Sequence, residues 1–282
     1  MQHVHFIATG GTTLLDLAIA VSRKNDYKVT VSGEHLSEET LQRLKNHGLA
    51  PDRQGWFPEL INRNVSAIVY GSDIRNDNPE LIRARELRLK IYTSPEYLYI
   101  QTRNKTRIVV GGSHGKTTIT AIMLYVMKQL KVDADYLIGE RLAGYNSTVR
   151  LSYESRIAVF DGDEGLSSTI DRRPRFHLYK PHIAILTGIA RDHSEIYPDF
   201  DDYVHQFDQF INLMETQGRL IYYEGDQALV HLTERLRRDL VAFPYDTPAY
   251  LYENGRYLVR TRKGTTAVHL ESEHQLRCIQ AA

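Results

Sequence analysis

The sequence predicts an α/β protein with two doubly wound, mostly parallel sheets. Apolar strands and amphipathic helices alternate along most of the chain, which is the pattern of βαβ units. A glycine-bearing turn also follows a strand twice, at residues 10–13 and 111–115. Because 282 residues are long for one hydrophobic core, two domains are expected. We place a Rossmann-like domain at residues 1–104 and a phosphate-loop (P-loop) domain at residues 105–282.

Short strands and helices alternate through the first domain. The expected strands are residues 3–8, 27–31, 67–70 and 91–92, and the expected helices are residues 14–21, 38–44, 79–87 and a segment that opens at Ser94-Pro95-Glu96. The third helix starts after Asn78, whose side-chain oxygen can accept from the first helical N–H groups, and Pro79 suits the first turn. Because strands joined by helical crossovers run parallel, these elements predict one parallel sheet.

The second domain begins with a buried strand at residues 106–110 and continues into an amphipathic helix. The helix is indicated by Ile119, Ile122, Met123, Val126, Met127 and Leu130, which recur at helical spacing. We expect strands at residues 157–160 and 182–186 to flank the first strand in one sheet. The end of the chain predicts two hairpins. Their strands are expected at residues 249–252, 256–260 and 265–270, separated by Glu253-Asn254-Gly255 and Lys263-Gly264.

The turn between the strand and the helix of the second domain predicts a phosphate-binding loop. This phosphate loop comprises Gly112, Ser113, His114, Gly115, Lys116, Thr117 and Thr118. Glycines let backbone N–H groups surround phosphate oxygens, Lys116 adds a positive charge, and the Thr117 hydroxyl can bind Mg²⁺, so ATP with Mg²⁺ is the expected ligand. The first glycine of the full Walker pattern is missing, because Val110 stands there. An ordinary strand-to-helix turn is the alternative, but it leaves the consecutive glycine, lysine and threonines unexplained.

Acidic residues and a histidine follow the next two strands of the expected second sheet. They are Asp161, Asp163, Glu164, Asp192 and His193. Because the carboxyl ends of parallel strands meet at one edge, we expect these groups to converge with Lys116 and Thr117 around Mg²⁺ and phosphate. Each residue alone has a plainer interpretation, as a loop cap or a surface hydrogen bond. Only their convergence favours a metal site.

The turn after the first strand of the chain is a weaker nucleotide signal. Gly10 and Gly11 precede a helix, where a diphosphate can bind, but the spaced three-glycine fingerprint of dinucleotide-binding proteins is missing. A nucleotide site and a purely structural turn are equally consistent with these two residues.

Composition argues against several classes of protein. Thirty-five basic residues balance 35 acidic residues, which argues against a general nucleic-acid or membrane-surface binder. No apolar run approaches the ~18 residues of a membrane span, and no signal-peptide pattern follows Met1, so we expect a cytoplasmic protein. Cys278 is the only cysteine, which excludes an intrachain disulfide and argues against a cysteine-based zinc site. We expect Cys278 to be a small buried side chain.

Several segments together resemble the Mur ligases, the ATP-dependent amide ligases of peptidoglycan synthesis, in the branch that acts on UDP-N-acetylmuramic acid. They are the phosphate loop, Asp77-Asn78-Pro79-Glu80, Asp161-Gly162-Asp163-Glu164, residues 171–179 and residues 187–193. The arginine-containing residues 171–179 are more similar to the murein-peptide ligases, which serve recycling, than to the alanine-adding members. The resemblance spans residues 3–282.

The resemblance implies a mechanism and a set of site residues. A muramoyl or muramyl-peptide carboxylate attacks the γ-phosphate of ATP, and an amino acid or peptide amine then displaces phosphate to give an amide. The protein positions the reactants and neutralises charge. The implied catalytic residues are Lys116 and His193, and the implied ATP contacts are the phosphate loop and Gln275. The implied Mg²⁺ ligands are Thr117, Asp161, Glu164 and His193, and the implied UDP-sugar contacts are Gly10, Gly11, Ser72, Asp73 and Arg75.

The chain departs from the family pattern at three notable positions. Asp161 stands where the family has glutamate, Gly165 where it has an aromatic or polar residue, and Gln275 where it has asparagine. These departures favour one alternative, a Mur-like nucleotide-binding module with impaired turnover. A second alternative is a generic phosphate-loop kinase or ATPase, which leaves the first domain without a task. The family's amine-binding C-terminal domain would begin after residue 282, so we expect this chain alone not to complete amide synthesis, and the sequence does not identify the amine.

Overall fold

The computed structural model describes residues 1–8, 11–190, 194–261 and 263–282. These residues form two compact units that interleave along the chain. The first unit consists of Met1–Lys105, Asp135–Ala158 and Gly165–Tyr179, and the second consists of Thr106–Ala134, Val159–Glu164 and Lys180–Ala282. Each unit mixes strands with helices, as the sequence predicts. The predicted domain boundary at residue 104, with a UDP-sugar-binding domain before it and an ATP-binding domain after it, remains a prediction.

The first unit opens with four strands that alternate with four helices. In chain order these elements are β1 (Gln2–Ala8), α1 (Thr12–Ser22), β2 (Tyr27–Gly33), α2 (Glu38–Asn46), β3 (Ala67–Tyr70), α3 (Pro79–Glu86), β4 (Lys90–Thr93) and α4 (Ser94–Thr102), with a 3₁₀ helix at Pro58–Leu60. The sheet order is β2-β1-β3-β4, and every neighbouring pair is parallel. The predicted parallel βαβ arrangement is therefore confirmed.

Local sequence explains where two of these helices begin. At α3, Asn78 Oδ1 accepts from two helix N–H groups at 3.0 Å each, and Pro79 occupies the first turn. At α4, Thr93 and Glu96 form a capping box, in which Thr93 Oγ1 accepts from the Glu96 N–H at 3.3 Å and the Glu96 carboxylate accepts from the Thr93 N–H at 3.0 Å. Both helix starts lie where the sequence predicts them.

The remaining elements follow in chain order. They are β5 (Thr106–Gly111), α5 (Lys116–Gln129), β6 (Ala134–Leu137), β7 (Val149–Arg150), β8 (Ile157–Asp161), β9 (Ile183–Leu186), α6 (Phe200–Asn212), β10 (Arg219–Tyr223), α7 (Gln227–Thr233), β11 (Val241–Tyr245), β12 (Tyr250–Glu253), β13 (Arg256–Thr261), β14 (Gly264–Val268) and α8 (Glu273–Ala281), with a 3₁₀ helix at Arg175–Tyr179. In the second unit the strand order is β11-β10-β9-β5-β8, and the pairs β5 with β9, β9 with β10 and β10 with β11 are parallel. The prediction that β8 and β9 flank β5 is confirmed.

A small antiparallel sheet of β12, β13 and β14 lies near the end of the second unit. The turn between β12 and β13 contains Asn254 and Gly255, whose φ angles are +50° and +75°. Positive φ at both central residues is what a tight type I′ hairpin requires, and asparagine followed by glycine satisfies it with little strain. Both predicted hairpins are present, with strand ends shifted by one or two residues.

Helix and strand bounds differ in detail from the sequence prediction. Helix α1 begins at Thr12, two residues earlier than predicted, because Gly11 has an extended backbone and serves as its N-cap. Strands β6, β7, β10 and β11 and helices α6 and α7 are additional. Sequence reasoning did not predict strands β10 and β11. Buried and exposed residues do not alternate regularly along either strand, and many of the residues are partly exposed. No helix in the described ranges is both long enough and apolar enough to span a membrane.

Candidate nucleotide-binding site

The phosphate loop lies between the carboxyl end of β5 and the first turn of α5. Gly115 is the N-cap of this 14-residue helix and has a φ of +84°, with no side-chain cap. The first N–H groups of a helix have no partner within the helix, and the helix dipole adds partial positive charge there. His114 and Thr118 are exposed on either side of the cap. The loop is therefore built to face an anion.

Gly112 is the position where the loop requires glycine. Its φ is +116°, and an added Cβ would overlap Thr187 Oγ1 and lie 2.9 Å from the carbonyl oxygen of Gly188. The segment after β9 also holds the next residue, because the Ser113 N–H donates to the Gly188 carbonyl at 3.0 Å and the Ser113 hydroxyl donates to the Ala190 carbonyl at 2.8 Å. The chain after β9 thus fixes the loop backbone.

Lys116 and Glu164 form the central charge pair of the loop. Lys116 Nζ lies 3.0 Å from Glu164 Oε2 and donates to the Gly112 carbonyl at 2.7 Å. Glu164 is fully buried, and its other oxygen accepts from the Gly112 N–H at 2.7 Å. Burial raises the pKa of Glu164, while the ammonium of Lys116 opposes that shift. A buried carboxylate therefore contacts two donors of the phosphate loop.

Thr117 and Asp161 form the second polar contact of the site. The Thr117 hydroxyl donates to Asp161 Oδ2 at 2.5 Å, and Asp161 is buried at the end of β8. Hydroxyl and carboxylate oxygens are the hard donors that Mg²⁺ prefers, so this pair has the right chemistry for one side of a magnesium shell. Within the described ranges, no group of three or more His, Cys, Asp or Glu residues is arranged to hold a metal. His193, a predicted metal and catalytic residue, lies outside the described residues.

Helix α8 brings His274 and Cys278 against the phosphate loop. A Cβ added at Gly115 would lie 3.0 Å from both His274 Nε2 and Cys278 Sγ. Cys278 is buried, as the sequence predicts, and burial raises its pKa. The Gln275 side-chain oxygen accepts from the Glu271 N–H at 2.9 Å, which is a local bond near the start of the helix. Its role in ATP binding remains a prediction.

Two tyrosines behind the loop were not found by sequence reasoning. The Tyr197 hydroxyl donates to the main-chain oxygen of Glu164 at 3.0 Å, and the Tyr203 hydroxyl lies 3.5 Å from Ser113 Oγ. The two rings contact each other with centroids 5.5 Å apart, and both side chains are buried. Tyr197 thereby holds the backbone of the residue whose carboxylate contacts Lys116. No local motif marks these residues, because only the fold brings them to the loop.

The residues predicted to contact a UDP-sugar lie in the first unit. Gly11 follows β1 and residues 72–75 follow β3, and these strands are parallel neighbours, so both loops lie at the carboxyl edge of the sheet. In the part of the chain that the structure describes, and apart from the chain neighbours of Gly11, no heavy atom lies within 4 Å of a Cβ added at this residue. Ser72 Oγ donates to Asp73 at 3.0 Å, and Arg75 forms an exposed ion pair with Asp77 at 3.0 Å. Gly10 lies outside the described residues.

Sequence comparison relates the chain to enzymes of peptidoglycan synthesis. The profile of the Mur ligase middle domain matches residues 110–278. The UDP-N-acetylmuramate–L-alanine ligase of Clostridium botulinum strain Okra is 28% identical over 244 residues, which cover 86% of this chain and 50% of that protein. The chain therefore spans about half the length of this curated relative.

Solved structures share the fold of the whole chain. The murein-peptide ligase of Neisseria meningitides, which joins UDP-N-acetylmuramate to L-alanyl-gamma-D-glutamyl-meso-diaminopimelate, superposes with a TM-score of 0.84 at 20% identity and covers 100% of this chain and 91% of that one. The UDP-N-acetylmuramate-alanine ligase of Thermotoga maritima gives a TM-score of 0.71 at 19% identity, with 100% and 64% covered. At these identities the likeness establishes the α/β fold.

Proposed function

We propose, from the premise that this chain belongs to the Mur ligase family, that it binds ATP at the phosphate loop and activates the carboxylate of a UDP-N-acetylmuramic acid substrate for amide formation. The observation that carries the proposal is the clustering of three kinds of group at one helix start. These are the Lys116 ammonium, the glycine-bounded backbone of the loop, and the Thr117 hydroxyl in contact with Asp161.

The proposed reaction forms an acyl phosphate and then an amide. The substrate carboxylate attacks the γ-phosphorus, ADP leaves, and an amine displaces inorganic phosphate from the acyl phosphate. Lys116 neutralises charge on the β- and γ-phosphates, and the first turn of α5 donates N–H groups to phosphate oxygens. Bound Mg²⁺ would screen the triphosphate charge, and Thr117, Asp161 and Glu164 would supply oxygen donors for it.

Gly11, the N-cap of α1, supports a site for the UDP part of the substrate. Among the described residues other than its chain neighbours, no heavy atom lies within 4 Å of a Cβ added at Gly11. A diphosphate can approach such a turn closely and accept from its N–H groups. The Ser72 hydroxyl and the Arg75 guanidinium lie on the neighbouring loop at the same sheet edge and supply further donors.

We further propose that the amine is a peptide, as in the murein-peptide branch. The support is the sequence of residues 171–179, which resembles that branch. The matched curated relative carries the name of an alanine ligase, so free L-alanine is the competing donor. With the whole protein, ATP and UDP-N-acetylmuramic acid, product formation from the free tripeptide L-alanyl-gamma-D-glutamyl-meso-diaminopimelate, compared with L-alanine at equal concentration, decides between the two amines.

A Mur-like module with impaired turnover is the second candidate function. It is favoured by Asp161, which is one methylene shorter than the family's glutamate. If Asp161 serves the metal, Asp161→Asn weakens magnesium-dependent nucleotide binding, while Asp161→Glu preserves or improves it. Glu164→Gln is the matched comparison. Loss of the Mg²⁺ dependence of nucleotide binding only in that variant assigns the metal role to Glu164, whereas equally weaker binding with and without Mg²⁺ reflects its contacts with Lys116 and Gly112. If neither loss of charge changes binding, the acidic residues are structural and the impaired module becomes the better assignment.

Hydroxylamine trapping tests the first chemical step without the amine donor. The acyl phosphate reacts with hydroxylamine to give a hydroxamate, so hydroxamate should form only when ATP, Mg²⁺ and the UDP-muramyl substrate are all present. Lys116→Ala should reduce it at least about tenfold, because a charge-assisted contact contributes about 1.5–3 kcal/mol. Lys128→Ala, at the exposed far end of α5, is the control. ADP release that is independent of the muramyl substrate would instead support a generic kinase or ATPase.

A further inference from the structure

Asp226 connects the ends of two neighbouring strands in the second unit. It follows β10 and is the N-cap of α7, where its carboxylate oxygen Oδ1 accepts from the Leu229 N–H at 3.0 Å. The other carboxylate oxygen, Oδ2, accepts from the Ile189 N–H at 2.7 Å. Ile189 belongs to the segment after β9, the parallel neighbour of β10. One carboxylate therefore holds a helix start and the chain that leaves the next strand.

We propose that Asp226 is a positioning residue for the phosphate loop. Its carboxylate orients the peptide group between Gly188 and Ile189, and this peptide group in turn holds the backbone of Ser113. The inference deepens the proposed function and rests on it, because the shape of the loop matters for ATP only if ATP binds there.

The peptide group between Gly188 and Ile189 has a partner on each side. Its N–H donates to Asp226 Oδ2, and its carbonyl oxygen, that of Gly188, accepts from the Ser113 N–H at 3.0 Å. A trans peptide group is planar, and its N–H and C=O point in opposite directions. An acceptor that fixes the N–H therefore also fixes the direction of the carbonyl. Hydrogen bonds in such a chain polarise one another, so the charge of Asp226 also strengthens the Gly188 carbonyl as an acceptor.

Gly188 makes the direction of this peptide group depend on outside contacts. Its φ is +135°, and a Cβ at this position would lie 3.3 Å from Asp226 Oδ2. Glycine enters many backbone conformations with little steric resistance, so local sterics alone do not hold the peptide group that follows it. The Asp226 carboxylate supplies a restraint through a charge-assisted hydrogen bond.

Ser113 transmits this restraint to the phosphate loop. Its hydroxyl donates to the Ala190 carbonyl at 2.8 Å, and its Oγ lies 2.9 Å from the Ala190 nitrogen, so residues 188–190 hold both its backbone and its side chain. Gly112 and Gly115 have φ angles of +116° and +84°, so the loop backbone close to Ser113 on either side consists of glycines. The position of Ser113 therefore relies on these tertiary contacts.

Two substitutions separate the positioning role of Asp226 from its role as a helix cap. Only a carboxylate offers two accepting oxygens in this place, whereas serine has one oxygen and alanine has none. Serine is a good N-cap, so Asp226→Ser should keep the bond to Leu229 and lose the bond to Ile189. Asp226→Ala should lose both bonds.

The test combines calorimetric titration of magnesium-ATP with hydrogen exchange of the nucleotide-free chain, measured by mass spectrometry. Both Asp226 variants should bind magnesium-ATP at least about fivefold more weakly than the parent and to a similar extent, since both lose the charged acceptor of Ile189. Without nucleotide, both should exchange faster at residues 111–115. The matched controls are Asp199→Ser and Asp199→Ala, at the N-cap of α6 in the same unit, where the carboxylate accepts from the Asp201 N–H at 2.9 Å. These controls should have the ATP affinity and the loop exchange of the parent.

Several results would overturn the proposal. Weaker ATP binding in Asp226→Ala alone assigns Asp226 to the helix cap only. Parental ATP affinity or parental exchange at residues 111–115 in both Asp226 variants shows that the peptide group keeps its direction without the carboxylate. If the parent does not bind magnesium-ATP, the proposed function fails, while faster exchange at the loop in both Asp226 variants still supports the restraint. Circular dichroism establishes which variants are folded, and Asp226→Ser against Asp199→Ser decides if the alanine variant is not.

Discussion

Replacing Gly112 with alanine should damage the phosphate loop through two separable effects. Alanine must adopt a φ of +116° at this position, and a positive φ is unfavourable for a residue that has a Cβ. Its methyl group must also displace Thr187 and the backbone of Gly188, because the Cβ position lies 2.9 Å from the Gly188 oxygen. Backbone atoms after β9 cannot move freely, since they hold Ser113. The loop and the strand end must shift together.

The expected magnitude follows from adding the two effects. Strain at a positive φ contributes about 1–3 kcal/mol, and overpacking against backbone contributes about 1–3 kcal/mol, so the loss in free energy of unfolding is about 2–6 kcal/mol. Gly144→Ala isolates the first effect, because Gly144 has a φ of +82° with nothing within 4 Å of an added Cβ. Gly11→Ala has neither effect, since its φ is −71° and the space is open.

Urea unfolding and calorimetric binding of magnesium-ATP measure the three variants. The loss in Gly112→Ala is measured on the transition that ATP shifts to higher urea, because ligand stabilises only the unit that binds it. The losses in Gly144→Ala and Gly11→Ala are measured on the transition of the first unit, to which both residues belong. We expect the order of destabilisation Gly112→Ala, then Gly144→Ala, then Gly11→Ala, with ATP affinity reduced at least tenfold in the first variant alone. A Gly112→Ala protein as stable as Gly144→Ala and with parental ATP affinity would refute the steric argument.

Two further predictions concern contacts outside the loop. Tyr197→Phe removes the hydroxyl that donates to the buried main-chain oxygen of Glu164. Urea unfolding should show a decrease of about 1–3 kcal/mol in the free energy of unfolding, and calorimetry should show a weaker magnesium-ATP complex. A variant with the stability and affinity of the parent would mean that this hydrogen bond is dispensable. The Arg173 guanidinium holds the pKa of Asp171 below its usual value of 3.8, so the pair stabilises the fold above that pH and the effect is lost as pH falls through the folded value. Arg173 is half exposed and also pairs with Glu96, so Arg173→Gln should cost less than about 1 kcal/mol at pH 7, and the cost should fall as pH falls through the folded pKa of Asp171. Arg172→Gln, at the exposed neighbouring residue, should cost nothing at pH 7 or at the lower pH.

The phosphate loop was predictable from sequence because its determinants are local. A strand that ends at Gly111, the glycine at position 112 and a helix that starts at Lys116 all lie within about a dozen residues. The flanking of β5 by β8 and β9 was also predicted, because polar residues that could converge with the phosphate loop follow both of these buried strands. Local patterning therefore located the fold class and the loop.

The interleaving of the two units was not predictable in the same way. Residues 165–179 belong with the first unit through contacts such as the Thr169 N–H to the Ser72 carbonyl at 2.8 Å. The contact joins residues almost a hundred positions apart, and neither residue carries a signal that identifies the other. Strand β7, of two residues, is too short to show a pattern at all.

Asp161 and Glu164, at and after the end of β8, show that two residues of similar type can have different contacts. The sequence groups Asp161 and Glu164 as similar metal candidates, because both are carboxylates near one strand end. In the fold they have different partners, since Asp161 contacts the Thr117 hydroxyl and Glu164 contacts Lys116 and the Gly112 N–H. Spacing alone could not separate these roles, because the chain turns between the two residues.

The contacts of Glu164 explain how the loop keeps its shape. Lys116 is only 17% exposed, and a buried ammonium without a counter-charge is strongly unfavourable. The Glu164 carboxylate supplies that charge and also accepts from the Gly112 N–H, so one buried anion satisfies the two donors that a phosphate oxygen would use. Glu164 therefore fixes the positions of Lys116 Nζ and the Gly112 N–H, which are two of the donors proposed to contact phosphate.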